Sequence, residues 1–399
     1  MLLTTKQQEG LEIAVERFNQ GMPYTCIAGY AGTGKSTLIK FIIAALDLHP
    51  EEVCYVAYTG KAAQVLRQKG CPNAVTAHKL LYKAKPMPNG SYKFEPKTSL
   101  EEEYSIIVVD EISMLPKAMW ERLLTHRVHV IAMGDPFQLP PIDTDSDNHV
   151  LDKPHVFLDE IMRQAAESEI IRLSMHIREG KPISEFKASG QQVLIYRPDE
   201  IVTGMYEWAD QIICATNATR NQINMDMRKI KGFGPEPAVG DKIISLRNQW
   251  EFFSNGSDPS PLTNGSIGTI SNTDLKSVWV PKYINSQPVD FLYTTMVDEN
   301  GDRFDYIPVD YKALTTGTKA LTGQQEYQMR KLKKCPDPPF EFSYAYAITC
   351  HKAQGSEWPN ILVFEERFPF DKEDHARWLY TAVTRAENKL VLVTNNKGV

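Results

Sequence analysis

The sequence predicts an α/β chain with two domains layered on parallel sheets. A small hairpin is inserted in the first domain and a β-rich unit in the second. Three observations predict this. Short continuous apolar runs alternate with segments of helical periodicity, as strands buried on both faces require. A glycine-rich loop, Gly29 to Ser36, separates one such run from a helical segment. Residues 239–340 then change character, with two Asn-Gly-Ser turns, several prolines and β-rich runs such as VDFLYTTMV and FDYIPVDY.

The elements follow in order. Residues 24–28 (YTCIA) read as a buried strand, and STLIKFIIAAL after the loop reads as a helix. VCYVA at 53–57 is a second strand, followed by a helix-like KAAQVLRQK. Residues 83–98 (KAKPMPNGSYKFEPKT) place Pro-x-Pro-Asn-Gly between polar and aromatic arms, which predicts a projecting hairpin. Buried strands are expected again at 106–109, 128–133, 211–215, 344–348, 361–364 and 390–393. The expected domains are 1–82 with 99–165, the hairpin 83–98, 166–238 with 341–399, and the insertion 239–340.

Composition narrows the function classes. With 399 residues, 42% apolar and 24% charged, the chain is globular and long enough for two or three domains. No apolar stretch approaches the roughly 18 residues of a membrane helix, and the N-terminus turns polar after three residues, so neither a span nor a signal peptide is expected. Six scattered cysteines without C-x-x-C argue against a disulfide framework or zinc site and favour a reducing cytoplasm. A net charge of −6 excludes a polybasic coat but leaves room for a local basic groove.

Gly29-Tyr-Ala-Gly-Thr-Gly34-Lys35-Ser36 fits G-x-x-x-x-G-K-[ST] between a strand and a helix. Gly29, Gly32, Thr33, Gly34, Lys35, Ser36 and Thr37 would cradle nucleotide phosphates, with Lys35 as a point charge and Ser36 as a magnesium ligand. Asp110 and Glu111 end the apolar run at 106–109, where ligands sit in open parallel sheets. Asp110 would hold magnesium and Glu111 would polarise the attacking water. Each motif alone has a bland alternative, a chance turn or a solvated acidic pair; together they point to NTP hydrolysis and no further.

Longer blocks take the reading further. Val108 to Met114, Gly134-Asp-Pro-Phe-Gln138-Leu-Pro-Pro141, Ala345 to Glu357 and Leu379 to Ala386 occur in that order. The ordered set resembles superfamily 1 helicases of class B, the RecD/Dda-like group. The resemblance runs from Gln7 to Arg385, and the compact length is nearer its Dda-like members than RecD proteins with added domains. It implies two RecA-like motor domains, a pin at 83–98, an SH3-like insertion at 239–340, and ATP with Mg2+ as cofactors. It also implies movement 5′ to 3′ on single-stranded DNA.

The resemblance assigns roles residue by residue. Gln7 matches the adenine-reading glutamine, Gln138 the γ-phosphate sensor, Arg163 and Arg385 the γ-phosphate arginines, and Glu357 the ribose ligand. Thr59, Gly60, Lys61, Thr76 and His78 match strand-tracking elements of the first motor domain; Thr216, Asn217, Thr349 and His351 match those of the second. The family commonly has proline where this chain has Tyr58. In the pin, Tyr92 and Phe94 would stack on a base while Lys83, Lys85, Lys93 and Lys97 face phosphates. His78 and His351 also fit as ordinary loop histidines.

Implied partners are single-stranded DNA, a DNA fork and proteins of replication, recombination or repair, such as a single-strand-binding protein. No membrane partner is implied. Both sides of the ATP cleft lie on one chain, so a monomer in a bacterial or phage-infected cytoplasm is the expected state. Two alternatives stay open: an RNA-directed motor of the same superfamily, and a single-strand-binding clamp with weak ATPase.

Overall fold

The structure, a computed structural model, describes residues 3–86, 92–140, 148–255, 261–299, 301–332, 335–367 and 371–395. It divides into two compact units. One comprises Met1–Leu81, Lys97–Asn217 and Ile348–Val399; the other comprises Tyr82–Pro96 and Ala218–Ala347.

In chain order the strands are β1 Tyr24–Gly29, β2 Val53–Ala57, β3 Ala74–Thr76, the antiparallel pair β4 Tyr82–Pro86 and β5 Tyr92–Pro96, β6 Ile106–Val109, β7 His129–Gly134, β8 Val156–Leu158, β9 Val193–Tyr196 and β10 Gln211–Cys214. In the second unit follow β11 Lys242–Ser245, β12 Gln249–Phe253, β13 Pro261–Leu262, β14 Ile267–Val278, β15 Val289–Asp298, β16 Arg303–Asp310 and β17 Phe342–Tyr344. The chain ends with β18 Ala347–Thr349, β19 Trp358–Phe364 and β20 Ala386–Val393.

The first unit carries two RecA-like sheets. One runs β3-β2-β6-β7-β1-β8 with every pair parallel. The other runs β18-β10-β19-β20-β9, with β10, β19, β20 and β9 parallel in turn. Strands β6 and β7 are buried along their whole length, which is why they read as unbroken apolar runs. Ile27, Ile42, Val108 and Ile131 pack in one core beneath the glycine-rich loop. β1 and β6, which contribute Ile27 and Val108 to that core, lead directly into the candidate site.

The second unit's main sheet, β16-β15-β14-β11-β17, is antiparallel throughout. Its anchor is a buried ion pair. Arg228 Nε donates to both oxygens of Asp241 at 3.0 and 3.2 Å, Nη1 donates to the Pro235 carbonyl at 3.2 Å, and Nη2 to the Glu236 carbonyl. Asp241 also accepts from the Tyr346 hydroxyl at 2.9 Å and the Ala238 N–H at 2.8 Å. Every charge is therefore answered, which a buried pair needs.

Two expectations are corrected. The run 344–348 is not one strand. Tyr344 ends β17 in the antiparallel sheet, and Ala347 starts β18 beside β10. Between them the Ala345 N–H donates to the Lys242 carbonyl and Tyr346 turns its hydroxyl to Asp241. Lys97 does not face a phosphate: it is 7% exposed, its ammonium donates to the Lys79 carbonyl at 2.7 Å and pairs with Glu101 at 2.9 Å. Among the described residues no helix is long and apolar enough to cross a membrane, and all six cysteines are free thiols.

Arg228→Ala leaves Asp241 buried without its cation. It should lower unfolding free energy by about 3–5 kcal/mol, read by urea denaturation. A loss under about 1 kcal/mol would show that the pair is not the anchor.

Candidate active site

β1 ends at Gly29, and helix Lys35–Ala45 starts just after Gly34. Gly34 has φ +78°, and a Cβ there would collide with the Gln7 amide and the Met162 sulfur, so only glycine fits. The loop is braced from within. The Thr33 hydroxyl donates to the Tyr30 carbonyl at 2.8 Å, and Lys35 Nζ donates to the Gly29 and Tyr30 carbonyls at 2.7 and 3.1 Å. Buried Gln7 accepts from the Thr4 N–H at 3.0 Å and donates to the Thr33 carbonyl at 3.1 Å. Its amide oxygen thus caps helix Thr5–Asn19 while its amide nitrogen ties that helix to the loop.

Asp110 and Glu111 follow β6. Asp110 Oδ1 accepts the Glu111 N–H at 3.0 Å. Glu111 has φ +50°, a left-handed conformation costly for a side-chain-bearing residue and common at functional sites. Its Oε1 lies 3.5 Å from Arg385 Nη1, and its Oε2 is buried with no hydrogen-bond partner. Burial raises the Glu111 carboxyl above its ordinary range, with Arg385 pulling it back down. Asp110 is also raised by burial, against the opposing charge of Lys35.

These groups share a pocket of about 360 Å³ that includes Ser36, Asp110, Glu111, Glu357 and Arg385 in its lining. Ser36 and Asp110 are the residues that would hold magnesium. Among the described residues no cluster of three or more histidine, cysteine or acidic side chains could hold a metal alone. Two protein oxygens, completed by phosphate and water, suit magnesium, which keeps much of its hydration.

The second sheet closes this pocket. Gly355, φ +74°, lies so near that a Cβ would stand 3.0 Å from the Ala62 methyl and 3.2 Å from Glu111 Oε2. Glu357 is ion-paired with Lys69 at 2.9 Å on the rim. Gln138 sits in a turn fastened from the second-sheet side. The Leu139 N–H donates to the Thr381 hydroxyl at 2.9 Å, Gln354 donates to the Leu139 carbonyl at 2.9 Å, and Arg377 donates to the Pro136 carbonyl at 3.3 Å. Thr381, Gln354, Gly355 and Arg377 were not singled out by sequence. They lie in or beside the motif blocks, but their partners are hundreds of residues away.

The expected strand-tracking residues are mixed. Thr59 accepts the Ala62 N–H at 3.2 Å and so caps helix Gly60–Gln68, whose Lys61 ammonium lies 4.5 Å over the Trp358 ring. Thr76 is buried and accepts the Lys79 N–H at 3.1 Å. His78 packs beside Tyr58, with ring centres 5.9 Å apart. Burial lowers the pKa of both His78 and His351, which favours neutral rings at pH 7. Thr349 is buried and precedes helix Cys350–Ala353. Thr216 donates its N–H and hydroxyl to Glu366 at 3.0 and 3.1 Å, and Ala215 N–H binds the same carboxylate. Asn217 opens helix Asn217–Ile230. Phe94 meets Tyr82 edge-on at 6.2 Å. The side chains of Tyr92, Lys85, Lys93 and Arg163 lie outside the described set.

Comparison with known proteins bears on this site. A profile described as an AAA domain matches residues 3–197, and one described as a UvrD-like helicase C-terminal domain matches 344–393. The chain is 26% identical to the ATP-dependent RecD2 DNA helicase of Deinococcus radiodurans over 91% of its own length and 46% of that protein's. It is 24% identical to the ATP-dependent DNA helicase dda of Enterobacteria phage T4, covering 96% of itself and 97% of the relative. In sequence the chain is thus similar to the RecD2 and Dda DNA helicases.

Solved structures share the fold. A Bacteroides Pif1 helicase in complex with ADP-AlF3 and ssDNA superimposes with TM-score 0.55 at 19% identity, covering 100% of this chain and 95% of that one. Candida albicans Pif1 does so at 0.51 and 17%, covering 99% and 95%. The chain spans about half the length of the RecD2 relative.

Removing the Arg385 charge should raise the Glu111 pKa further, because that charge favours the ionised carboxylate. In Arg385→Ala the titration midpoint of Glu111, followed by carboxyl NMR, should move to higher pH. A midpoint that stays put or falls would mean that Arg385 does not act on Glu111.

Proposed function

We propose that the chain is an ATP-dependent DNA helicase that moves 5′ to 3′ on single-stranded DNA and separates the duplex ahead of it. The observation that carries this reading is the buried, unpartnered Oε2 of Glu111, sharing a pocket with Ser36, Asp110 and Arg385. A buried acceptor without a donor is costly unless a ligand or water completes it. A water held there would be polarised by Glu111 toward the terminal phosphate of ATP.

The other residues have matching roles. Lys35 would leave the loop carbonyls for the β- and γ-phosphates. Arg385 would neutralise charge gathering on the transferring phosphoryl group. Magnesium, held by Ser36 and Asp110, would supply further charge neutralisation when bound. Arg163 and Gln138 would sense the γ-phosphate, Gln7 would hold the adenine end and Glu357 the ribose. Thr59, Gly60, Lys61, His78, Asn217 and His351 would line the single-strand path, with neutral histidines donating hydrogen bonds rather than charge. The hairpin Tyr82–Pro96 would keep parted strands from re-pairing. The DNA assignment is supported by relatives named as DNA helicases and by the ssDNA bound to Bacteroides Pif1.

The test is ATP turnover with and without saturating single-stranded DNA, and with RNA of the same sequence. DNA should stimulate more than RNA, and Lys35→Ala should abolish turnover while keeping the thermal midpoint. Turnover near wild type in Lys35→Ala would remove the nucleotide assignment. A duplex with a 5′ single-stranded tail should be unwound and one with only a 3′ tail should not. Unwinding from the 3′ tail alone would reverse the polarity and leave the ATPase reading intact.

A further inference from the structure

We propose that Tyr380 is a positioning residue that makes the phosphate loop and the Gly134–Leu139 turn move as one body. This rests on the reading of the pocket as an ATP site. Tyr380 lies in helix Lys372–Val383 and is 1% exposed. Its hydroxyl accepts the N–H of Ala31, inside the glycine-rich loop, at 2.8 Å. It donates to Asp135 Oδ2 at 2.6 Å.

The donor and acceptor roles are forced. A backbone N–H only donates and a carboxylate only accepts, so the phenol proton points at Asp135. Burial and the Asp135 charge push the phenol pKa far above its ordinary value, so the hydroxyl keeps that proton at working pH.

The chain of bonds continues. The other Asp135 oxygen accepts the Phe137 N–H at 2.9 Å, and the Phe137 ring meets the Tyr380 ring edge-on at 5.2 Å. An unbroken line of hydrogen bonds thus runs from the Ala31 amide through Tyr380 and Asp135 to the turn that bears Gln138. The neighbouring Thr381 holds Leu139 in the same turn. Arg385 comes just past the Thr384 that caps this helix. A shift of the loop as it closes on phosphate therefore reaches the Gln138 turn and Arg385 through packed, fully bonded groups.

Tyr380→Phe keeps the ring and removes only the hydroxyl, leaving the Ala31 N–H and Asp135 Oδ2 unmatched. The experiment compares wild type, Tyr380→Phe, Asp135→Asn and the double variant as full chains. ATP turnover is measured against ATP concentration at saturating single-stranded DNA, together with thermal midpoints.

For Tyr380→Phe we expect kcat to fall about tenfold or more, the scale of a buried hydrogen bond lost at the transition state, with KM within about twofold. The double variant should be no slower than the slower single, because both break one line. Three outcomes overturn the proposal: unchanged kcat, a raised KM with kcat kept, or losses that add. If Tyr380→Phe fails to fold, Asp135→Asn carries the same expectation, and a full kcat there overturns it. Absence of turnover in the wild type would sink the ATPase reading itself, and this proposal with it.

Discussion

The peptide of Leu139 is gripped from both sides by the half of its unit that carries the second sheet. Its N–H donates to Thr381 and its carbonyl accepts from Gln354, each at 2.9 Å and each buried. Releasing either partner would leave a backbone group in a dry place without water to replace the bond, so the grip resists partial opening. Much else follows from it. The turn after β7 is pinned, so Gln138 is placed. Helix Lys372–Val383 is pinned, so Arg385, two residues past its end, arrives 3.5 Å from Glu111.

Glu111 concentrates what a stability-optimised chain would avoid. It combines a left-handed backbone, a buried carboxylate raised in pKa by desolvation, and an oxygen with no donor. Such costs persist where the surroundings over-determine them. Here Gly355 packs against the carboxylate, and Arg385 offsets its charge without fully bonding it. The contrast with Asp241 is instructive. That carboxylate is fully buried but satisfied by Arg228, Tyr346 and a backbone amide. One acid is finished, as a structural anchor should be; the other is left open, as a reacting group should be.

Several residues of the expected strand path turn out to be bonded within the protein. Thr59 and Thr76 accept backbone N–H groups at helix starts, and Glu366 occupies the donors of Ala215 and Thr216. Hydroxyls and amides at helix starts suit both capping and phosphate binding, because both use the same dipolar end of a helix. Sequence pattern alone does not separate the two uses.

The local features were legible in the sequence because each depends on neighbouring residues. The strand-loop-helix around Gly34 needs a glycine at positive φ next to a helical period. The buried strands β6 and β7 show as unbroken apolar runs. Asp110 and Glu111 could be placed because they terminate one of those runs. What tertiary structure decided was every relation across long chain separations. Lys97 reads as a phosphate-facing charge of the hairpin until its ammonium is seen bonded to the Lys79 carbonyl and paired with Glu101. The run 344–348 reads as one strand until Asp241 and Lys242 draw its two ends into different sheets. Thr381, Gln354 and Tyr380 lie inside the motif blocks, but the pattern does not say what they touch. Their meaning lies in Leu139, Ala31 and Asp135, and a one-dimensional pattern cannot encode which distant backbone group a hydroxyl or amide will meet once the sheets are packed.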